Sequence, residues 1–210
     1  MISVISTELE KYLENHTMER HTIFHEMEQH AESSDFPIVG PQVGQLLYIL
    51  TKLSKAVKVF EVGSGFGYSA LWFGLGMGSR GTVIATEYNE ENINRAQTYL
   101  RQVDTLRSTI AFQQGNGIDI LADTDDKFDI IFNDANKEDY PNVFELSKAR
   151  LKKNGMLISD NTLWHGRVAE ADPDEKTAGV IKYNELIFNS DDFYSSIIPL
   201  RDGIAVSIKL

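Results

Sequence analysis

The chain has 210 residues, no cysteine and a formal net charge of −11. The lack of cysteine excludes disulfides, thiolate metal sites and a cysteine nucleophile, and the acidic balance argues against nucleic-acid binding, which rests largely on Lys and Arg. We expect one domain, residues 1–210, in a soluble cytoplasmic protein. No apolar run is long enough to span a membrane, and the N-terminus lacks the pattern of a signal peptide.

The N-terminal part predicts helices. Residues 6–29 place a few apolar side chains among many charges, which is typical of one or two amphipathic helices. Residues 1–37 are therefore expected to form a helical segment that serves as a lid or as a dimer surface. A clearer helix begins at Pro41, because apolar residues recur at helical spacing after it and proline is favoured in a first helical turn.

Residues 57–210 alternate between strand and helix patterns. The predicted strands are residues 57–62, 82–87, 109–113, 128–133, 156–159, 194–199 and 204–209. The predicted helices are residues 68–77, 90–101, 118–122, 140–151 and 177–188, the second of them capped by Asn89. Asn154-Gly155 predicts a turn, residues 165–176 a polar loop, and Arg201-Asp202-Gly203 a hairpin. This order predicts an α/β fold, a doubly wound sheet closed by an antiparallel C-terminal hairpin.

Two carboxylates follow the ends of predicted strands. Asp134 comes directly after residues 128–133, and Asp160, with Asn161 beside it, comes after residues 156–159. The carboxyl ends of strands in an open α/β sheet border the ligand crevice, so these side chains are expected to converge there. Their oxygen donors suit Mg²⁺, Ca²⁺ or Mn²⁺ rather than zinc or copper. Taken singly, each aspartate could instead cap the segment that follows it.

A glycine-rich segment, FEVGSGFGYS at residues 60–69, follows the first predicted strand. Its glycines permit a tight turn and close approach of a ligand to the backbone, and the following helix supplies free amides. A dinucleotide site prefers a small residue one place after Gly67, where this chain has Tyr68. Gly-x-Gly-x-Gly with an acidic residue two places before it is instead the pattern of S-adenosylmethionine enzymes. A turn that needs only small residues would show the same glycines.

Glu87 ends the predicted strand 82–87 and lies 20 residues after Gly67. A carboxylate at this place can accept hydrogen bonds from both hydroxyls of an unphosphorylated ribose. The position supports an adenosyl ligand without separating NAD from S-adenosylmethionine. An isolated glutamate is more commonly a solvated surface residue.

These motifs resemble a known family. FEVGSGFGYSA, the acidic strand end at Glu87, DANKEDY and DNTLW occur in the order and spacing of the cation-dependent O-methyltransferases of the catechol and caffeoyl-CoA family, and the resemblance covers residues 38–210. It implies a small prokaryotic-type member with a Rossmann-like, seven-stranded S-adenosylmethionine fold, extra N-terminal helices, a last strand that is antiparallel, and a homodimer. Asn136 departs from the acidic residue common in the caffeoyl-CoA group.

The resemblance also implies roles for single residues. The expected S-adenosylmethionine-binding residues are Val39, Glu61, Gly63, Ser69, Glu87, Gly117 and Asp134. Glu61 and Ser69 would hold the methionine end, Glu87 the ribose, and the Gly117 backbone the adenine. The expected metal ligands are Asp134, Asp160 and Asn161, with Mg²⁺ as the first choice of cation and Ca²⁺ or Mn²⁺ as alternatives. The expected catalytic residues are Lys137 and Asp134.

The chemistry that joins these parts is methylation of a hydroxyl group on a small catechol-like or phenolic acceptor. Two neighbouring hydroxyls can chelate one divalent cation, which orients one oxygen and lowers its pKa. Lys137 would remove the proton, and the oxyanion would attack the sulfonium methyl group in line. Much of the rate is expected to come from holding the oxygen close to the methyl carbon.

The loop after Asp160-Asn161 is expected to border the acceptor. His165 and Arg167 lie in this loop, where they would either contact an anionic acceptor or be solvated. Trp164 is expected to line the acceptor pocket or to pack in the core.

Two other functions stay open from the sequence. One is methylation of a hydroxylated tRNA base, which a basic patch of Lys52, Lys55, Lys58 and Arg167 would favour and the net acidic charge opposes. The other is a nicotinamide-dependent oxidoreductase on a similar fold. The bulky Tyr68 in the glycine turn argues against that function.

Overall fold

The computed structural model describes residues 6–18, 20–78 and 81–210. The helices are α1 Thr7–Glu14, α2 Ile23–Ser34, α3 Gly40–Ser54, α4 Tyr68–Met77, α5 Glu90–Leu100, α6 Gly117–Asp123, α7 Tyr140–Arg150 and α8 Glu175–Phe188. The strands are β1 Lys58–Val62, β2 Thr82–Glu87, β3 Thr109–Gln114, β4 Phe128–Asn133, β5 Leu151–Ser159, β6 Phe193–Ile198 and β7 Ile204–Lys209. Two 3₁₀ segments, Lys137–Asp139 and Trp164–Ala169, lie after β4 and β5.

The strands form one sheet in the order β3-β2-β1-β4-β5-β7-β6. The pairs from β3 to β5 are parallel, whereas β7 runs antiparallel to both β5 and β6. The strand order reverses between β1 and β4, and this switch point is where ligands bind in doubly wound sheets. The predicted fold, including the antiparallel last strand, is confirmed.

Helices cover both faces of the sheet, and β1 shows why. Successive side chains of a strand point to opposite faces, so Val59 joins the core formed with α2, α3 and α4, while Phe60 joins the core formed with α6, α7 and α8. Both residues are fully buried. A strand that is apolar on two faces reads as a continuous hydrophobic run, which is the pattern that predicted parallel strands here.

Helix α2 belongs to the main core. Its Phe24 is fully buried and stacks on Trp72 of α4 with ring centroids 4.2 Å apart. Tyr68, the first residue of α4, donates a hydrogen bond to Glu28 of α2 at 2.5 Å. The N-terminal helical segment is therefore attached to the helix that follows the glycine turn. Residues 1–5 and 19 of that predicted segment lie outside the described residues.

Two local predictions were wrong. Asn154-Gly155 does not precede a strand, because β5 already begins at Leu151; the pairing of β5 with β4 shifts register between Phe128 and Ile130, and Asn154 has φ of 63° inside the resulting bulge. The polar stretch 165–176 is not a plain loop, because it contains most of a 3₁₀ segment and the first two residues of α8. Asp174 caps α8 by accepting a hydrogen bond from the Thr177 amide at 2.9 Å.

Among the residues that the structure describes, no helix is both long enough and apolar enough to cross a bilayer.

Candidate active site

A cavity of about 1020 Å³ lies at the carboxyl ends of β1, β2, β4 and β5. The segment between α2 and α3 forms one wall, and the tip of the β6–β7 hairpin forms another. The predicted site residues that line it are Val39, Gly63, Ser69, Glu87, Asp134, Lys137, Asp160 and Asn161. The fold therefore brings together residues that are separated by more than one hundred positions in sequence.

The glycine turn lies directly against the end of β4. Gly63 has φ of +80°, and a Cβ at this position would be 2.6 Å from the carbonyl oxygen of Asp134. Gly67 has φ of +85° and precedes the first residue of α4. Glycine is required at both positions because side chains rarely adopt this conformation and, at Gly63, because the two chain segments touch.

Glu61 lies behind the cavity wall. Its carboxylate accepts hydrogen bonds from Ser64 Oγ at 2.7 Å and from Ser69 Oγ, and these two serines line the cavity. Burial raises the pKa of Glu61 to about 7, the hydrogen bonds from Ser69 and Ser64 lower it, and the charges of Asp134 and Glu87 add to the increase. A buried carboxyl poised near neutrality gains a charged form readily when a cation comes close.

Two predicted cofactor residues occupy different surroundings. Glu87 lines the cavity at the end of β2, where its carboxylate accepts a hydrogen bond from the backbone N–H of Asn89 at 2.8 Å. Gly117 does not line the cavity. A Cβ there would be 2.2 Å from Thr86 Oγ1, so packing of α6 against β2 already explains this glycine. Its contact with adenine stays a prediction.

Asp134 and Asp160 follow directly paired strand ends. Asn133 of β4 is the register partner of Ser159 of β5, and the Asp160 amide donates a hydrogen bond to the Asn133 carbonyl oxygen at 3.1 Å. Burial raises the pKa of Asp160 to about 7, and the neighbouring charge of Asp134 adds to the increase. The backbone N–H of Asn161 donates a hydrogen bond to Asp160 Oδ1 at 2.8 Å.

The donor set fits a hard divalent cation. Asp134, Asp160 and Asn161 line one cavity with two carboxylates and one amide oxygen, and a cation would relieve the repulsion between the carboxylates. Within residues 6–18, 20–78 and 81–210, no group of three His, Cys, Asp or Glu side chains could hold a metal ion. A cation at this place would need the side-chain oxygen of Asn161 as its third protein ligand.

Lys137 lies beside these carboxylates in the 3₁₀ segment after β4. Its ammonium group donates hydrogen bonds to Asp134 Oδ1 at 3.1 Å, to the Ala135 carbonyl oxygen at 3.3 Å and to Tyr140 Oη at 2.8 Å. The side chain is only 10% exposed, and its nitrogen lies 5.6 Å from the centre of the Trp164 ring. Such burial is unusual for a lysine and places its nitrogen in the cavity wall.

Of the three residues in the loop after β5 that were expected to border an acceptor, two line the cavity. Trp164 and His165 line the cavity, and His165 Nδ1 lies 3.5 Å from Asp202 Oδ2. Arg167 does not line the cavity, because its guanidinium group pairs with Asp174 at 3.0 Å and with Glu170 at 3.5 Å.

A family model for O-methyltransferases matches residues 10–210. The chain belongs to the O-methyltransferase family. The prediction of an S-adenosylmethionine-dependent O-methyltransferase is thereby confirmed, and the oxidoreductase alternative is set aside.

Individual proteins agree with this assignment. The catechol O-methyltransferase domain-containing protein 1 of Mus musculus is 31% identical over 172 residues, which cover 79% of this chain and 65% of that protein. The catechol O-methyltransferase of Niastella koreensis is 26% identical over 180 residues, or 81% of each chain. The crystal structure of the O-methyltransferase from Bacillus cereus in complex with SAH superposes with a TM-score of 0.86 at 23% identity, covering 97% of this chain and 98% of that one.

The cavity of this O-methyltransferase also contains residues outside the sequence motifs. The hairpin signal does not identify Arg201 as a site residue, and the lid or dimer role expected of residues 1–37 does not single out Glu32, yet both residues line the cavity. Topology provides a signal for Arg201. Because β7 is antiparallel to β5, with Ala205 opposite Ser159, the residues just before β7 must reach the edge where Asp160 lies.

Proposed function

We propose that the protein is a divalent-cation-dependent O-methyltransferase that methylates one hydroxyl group of a small catechol-like or phenolic acceptor. The observation that carries this proposal is the meeting of Asp134, Asp160, Asn161 and Lys137 in one cavity beside the glycine turn. The trio offers oxygen ligands for a hard cation, and the lysine offers a group that can move a proton.

The cofactor half of the site would be formed by the ends of β1 and β2. Glu61, through its contacts with Ser64 and Ser69, would hold the ammonium group of S-adenosylmethionine. Glu87 would accept hydrogen bonds from the ribose hydroxyls. The positive φ of Gly63 and the free amides at the start of α4 leave the backbone accessible to the methionine end.

The acceptor half of the site would surround the three oxygen ligands. A bound cation would neutralise the two carboxylates and favour the ionised form of a hydroxyl group that contacts it. Lys137, held by Asp134 and Tyr140, would take the proton from that hydroxyl group when its side chain is the neutral amine, and would become the ammonium ion. Trp164 would exclude water from one side of the acceptor, since its ring lines the cavity next to Lys137.

A small acceptor is favoured over RNA. Of the basic residues that would have formed an RNA-binding patch, Lys58 pairs with Asp126 at 2.6 Å and Arg167 pairs with Asp174 at 3.0 Å. Their charges are neutralised by carboxylates, which weakens the attraction to phosphate. Homodimerisation, which the family resemblance implies, stays a prediction.

The decisive experiment is a methyl-transfer assay with catechol and S-adenosylmethionine. We expect turnover with Mg²⁺, loss of turnover with excess EDTA, and recovery when Mg²⁺ is restored. Calorimetric titration with S-adenosylhomocysteine provides the control for cofactor binding, which we expect to persist in EDTA. Turnover that is indifferent to EDTA would contradict the cation requirement, and cofactor binding without methylation of any catechol or phenol would contradict the acceptor class.

A further inference from the structure

Arg201 lies at the tip of the β6–β7 hairpin and points to the cavity. Its Nη1 donates a hydrogen bond to the carbonyl oxygen of Ile38, in the segment between α2 and α3, at 2.9 Å. The guanidinium group covers Gly40, where a Cβ would be 2.6 Å from Arg201 Nη1. The backbone of Arg201 has φ of 48°, a left-handed conformation that is unfavourable for a residue with a side chain. Arg201 is exposed, and this one hydrogen bond holds its guanidinium group against the segment between α2 and α3.

Arg201 has no carboxylate partner at ion-pair distance among the described residues. Lys137 and Arg201 are the two Lys or Arg side chains among the cavity-lining residues, and Lys137 is paired with Asp134 at 3.1 Å. Only one of the N–H groups on its planar fork is used by Ile38, so the remaining donors are available to a ligand.

The neighbouring carboxylates do not form an ion pair with Arg201. Asp202, the next residue, is turned toward the loop after β5, where it accepts a hydrogen bond from the His165 amide. Glu32, in α2, and Asp35, the residue after α2, also line the cavity. Both residues are exposed, and neither lies within ion-pair distance of Arg201. The charge of Arg201 acts on Asp160 and lowers the pKa of that carboxyl, but among the described residues no carboxylate lies within ion-pair distance of the guanidinium group, so its remaining N–H donors stay available to a ligand.

We propose that Arg201 binds an anionic group on the acceptor, so that the preferred acceptors are ortho-dihydroxy aromatic acids whose carboxylate pairs with this guanidinium. The inference rests on the proposed function, because the two hydroxyl groups would occupy the site at Asp134, Asp160 and Asn161. A guanidinium fork binds a carboxylate through two parallel hydrogen bonds, which orient the ring as well as hold it. Arg201 is therefore a residue that determines specificity and has no part in the proton transfer.

The test compares acceptors that differ in charge and reach. The panel consists of catechol, 3,4-dihydroxybenzoate, 3,4-dihydroxycinnamate and the cationic 3,4-dihydroxyphenethylamine, each assayed with S-adenosylmethionine and Mg²⁺. We expect one of the two acids to have the highest kcat/KM. In Arg201→Gln the ratio of kcat/KM between that acid and catechol should fall by about 10-fold to 100-fold, mainly through KM, because a charge-assisted interaction remote from the reacting oxygen is lost.

Two further variants make the comparison sharp. Arg201→Lys keeps the charge and should retain part of the preference for the acid, although it loses the paired geometry. Arg107→Gln is the matched control, because Arg107 Nη1 also donates a hydrogen bond to a backbone carbonyl oxygen, that of Asp104, and lies outside the cavity lining. Its selectivity ratio should equal that of the wild type. A wild-type enzyme that prefers neutral or cationic catechols, or an unchanged ratio in Arg201→Gln, would overturn the proposal.

A binding measurement separates this inference from the proposed function. Calorimetric titration of 3,4-dihydroxybenzoate and 3,4-dihydroxycinnamate into the protein with S-adenosylhomocysteine and Mg²⁺ does not require turnover. Weaker binding of the acid in Arg201→Gln supports the role of Arg201 even if no catechol is methylated, in which case only the proposed function fails. Equal binding to the wild type and to Arg201→Gln overturns the role of Arg201 whatever the assay shows.

Discussion

Tyr140 connects the ammonium group of Lys137 to the strand end that carries Asp160. Lys137 Nζ donates a hydrogen bond to Tyr140 Oη at 2.8 Å, and the Tyr140 hydroxyl donates to the Asp160 carbonyl oxygen at 2.9 Å. Tyr140 is fully buried, and its ring packs edge-on against Tyr183 with centroids 5.4 Å apart. The position of the proposed base is therefore fixed from below by a side chain that does not line the cavity.

Tyr140→Phe tests this positioning role. The variant keeps the ring and loses the hydroxyl, so Lys137 is less constrained and the buried Asp160 carbonyl oxygen loses its donor. We expect kcat to fall by about 10-fold to 100-fold, because small displacements of a reacting group are costly, and the free energy of unfolding to fall by about 1–3 kcal/mol. Steady-state kinetics and urea denaturation measure the two effects.

Tyr183→Phe is the control for that experiment. Tyr183 is equally buried, and its hydroxyl lies 2.6 Å from Ser159 Oγ, away from Lys137. This variant should lose stability without the matching loss of kcat. If each variant loses kcat in proportion to its loss of stability, the Tyr140 hydroxyl stabilises the fold and does not position Lys137.

Lys137→Gln tests the proposed base itself. General acid–base catalysis contributes about 10²-fold to 10⁴-fold, so kcat should fall by an amount in this range while S-adenosylhomocysteine still binds. Lys148→Gln is a close match for comparison, because Lys148 also pairs with a carboxylate three residues earlier, Glu145, at 3.0 Å and lies over an aromatic ring. Turnover of Lys137→Gln near the level of Lys148→Gln would show that another group removes the proton.

Sequence patterns located the central strands of the sheet. Thr82–Glu87 and Phe128–Asn133 agree with prediction to the residue, because an apolar run that ends in a polar residue marks a central strand. Asn154-Gly155 misled because a turn and a bulge require the same backbone conformations, and only the pairing of β5 with β4 distinguishes them. The choice depends on a neighbour that is distant in sequence.

The candidate site shows the same division. Asp134 and Asp160 could be placed together because they follow parallel strands whose ends share one edge of the sheet. Gly117 occurs in a motif, but its surroundings show a packing contact with Thr86, which no local pattern reveals. Arg201 could not be assigned from the hairpin signal, since its contact with Ile38 joins residues that are 163 positions apart.

Mg²⁺ should stabilise the folded protein through Asp160. A cation that binds only the folded state at 100 times its Kd raises the free energy of unfolding by about 2.7 kcal/mol. We expect this stabilisation to raise the Tm of the wild type in thermal denaturation. The Tm of Asp160→Asn, which replaces a ligand carboxylate by an amide, should not rise. Asp126→Asn, on the surface beside Lys58, should respond to Mg²⁺ as the wild type does. An equal shift in Asp160→Asn would place the cation elsewhere.

Glu61 should make the stability of the ligand-free protein depend on pH. Its pKa is about 7 in the folded protein and 4.5 as its ordinary value, so the folded state binds more protons than the unfolded state between these limits. The free energy of unfolding should therefore fall as pH rises through this range and level off above it. The total decrease from this group is about 3 kcal/mol. Glu61→Gln cannot ionise, so the difference between its urea denaturation and that of the wild type from pH 5 to 8 isolates this contribution.

The same ionisation should have the opposite effect on cofactor binding. If ionised Glu61 holds the ammonium group of the cofactor, wild-type affinity for S-adenosylhomocysteine should rise as pH increases through about 7. Glu61→Gln should bind about 10-fold to 100-fold more weakly above that pH, because a charged hydrogen bond is lost. It should nevertheless be more stable than the wild type without ligand. Glu145→Gln, an exposed surface change, should alter neither property. Wild-type affinity that stays constant across this range would mean that Glu61 shapes the turn through Ser64 and Ser69 without contacting the cofactor.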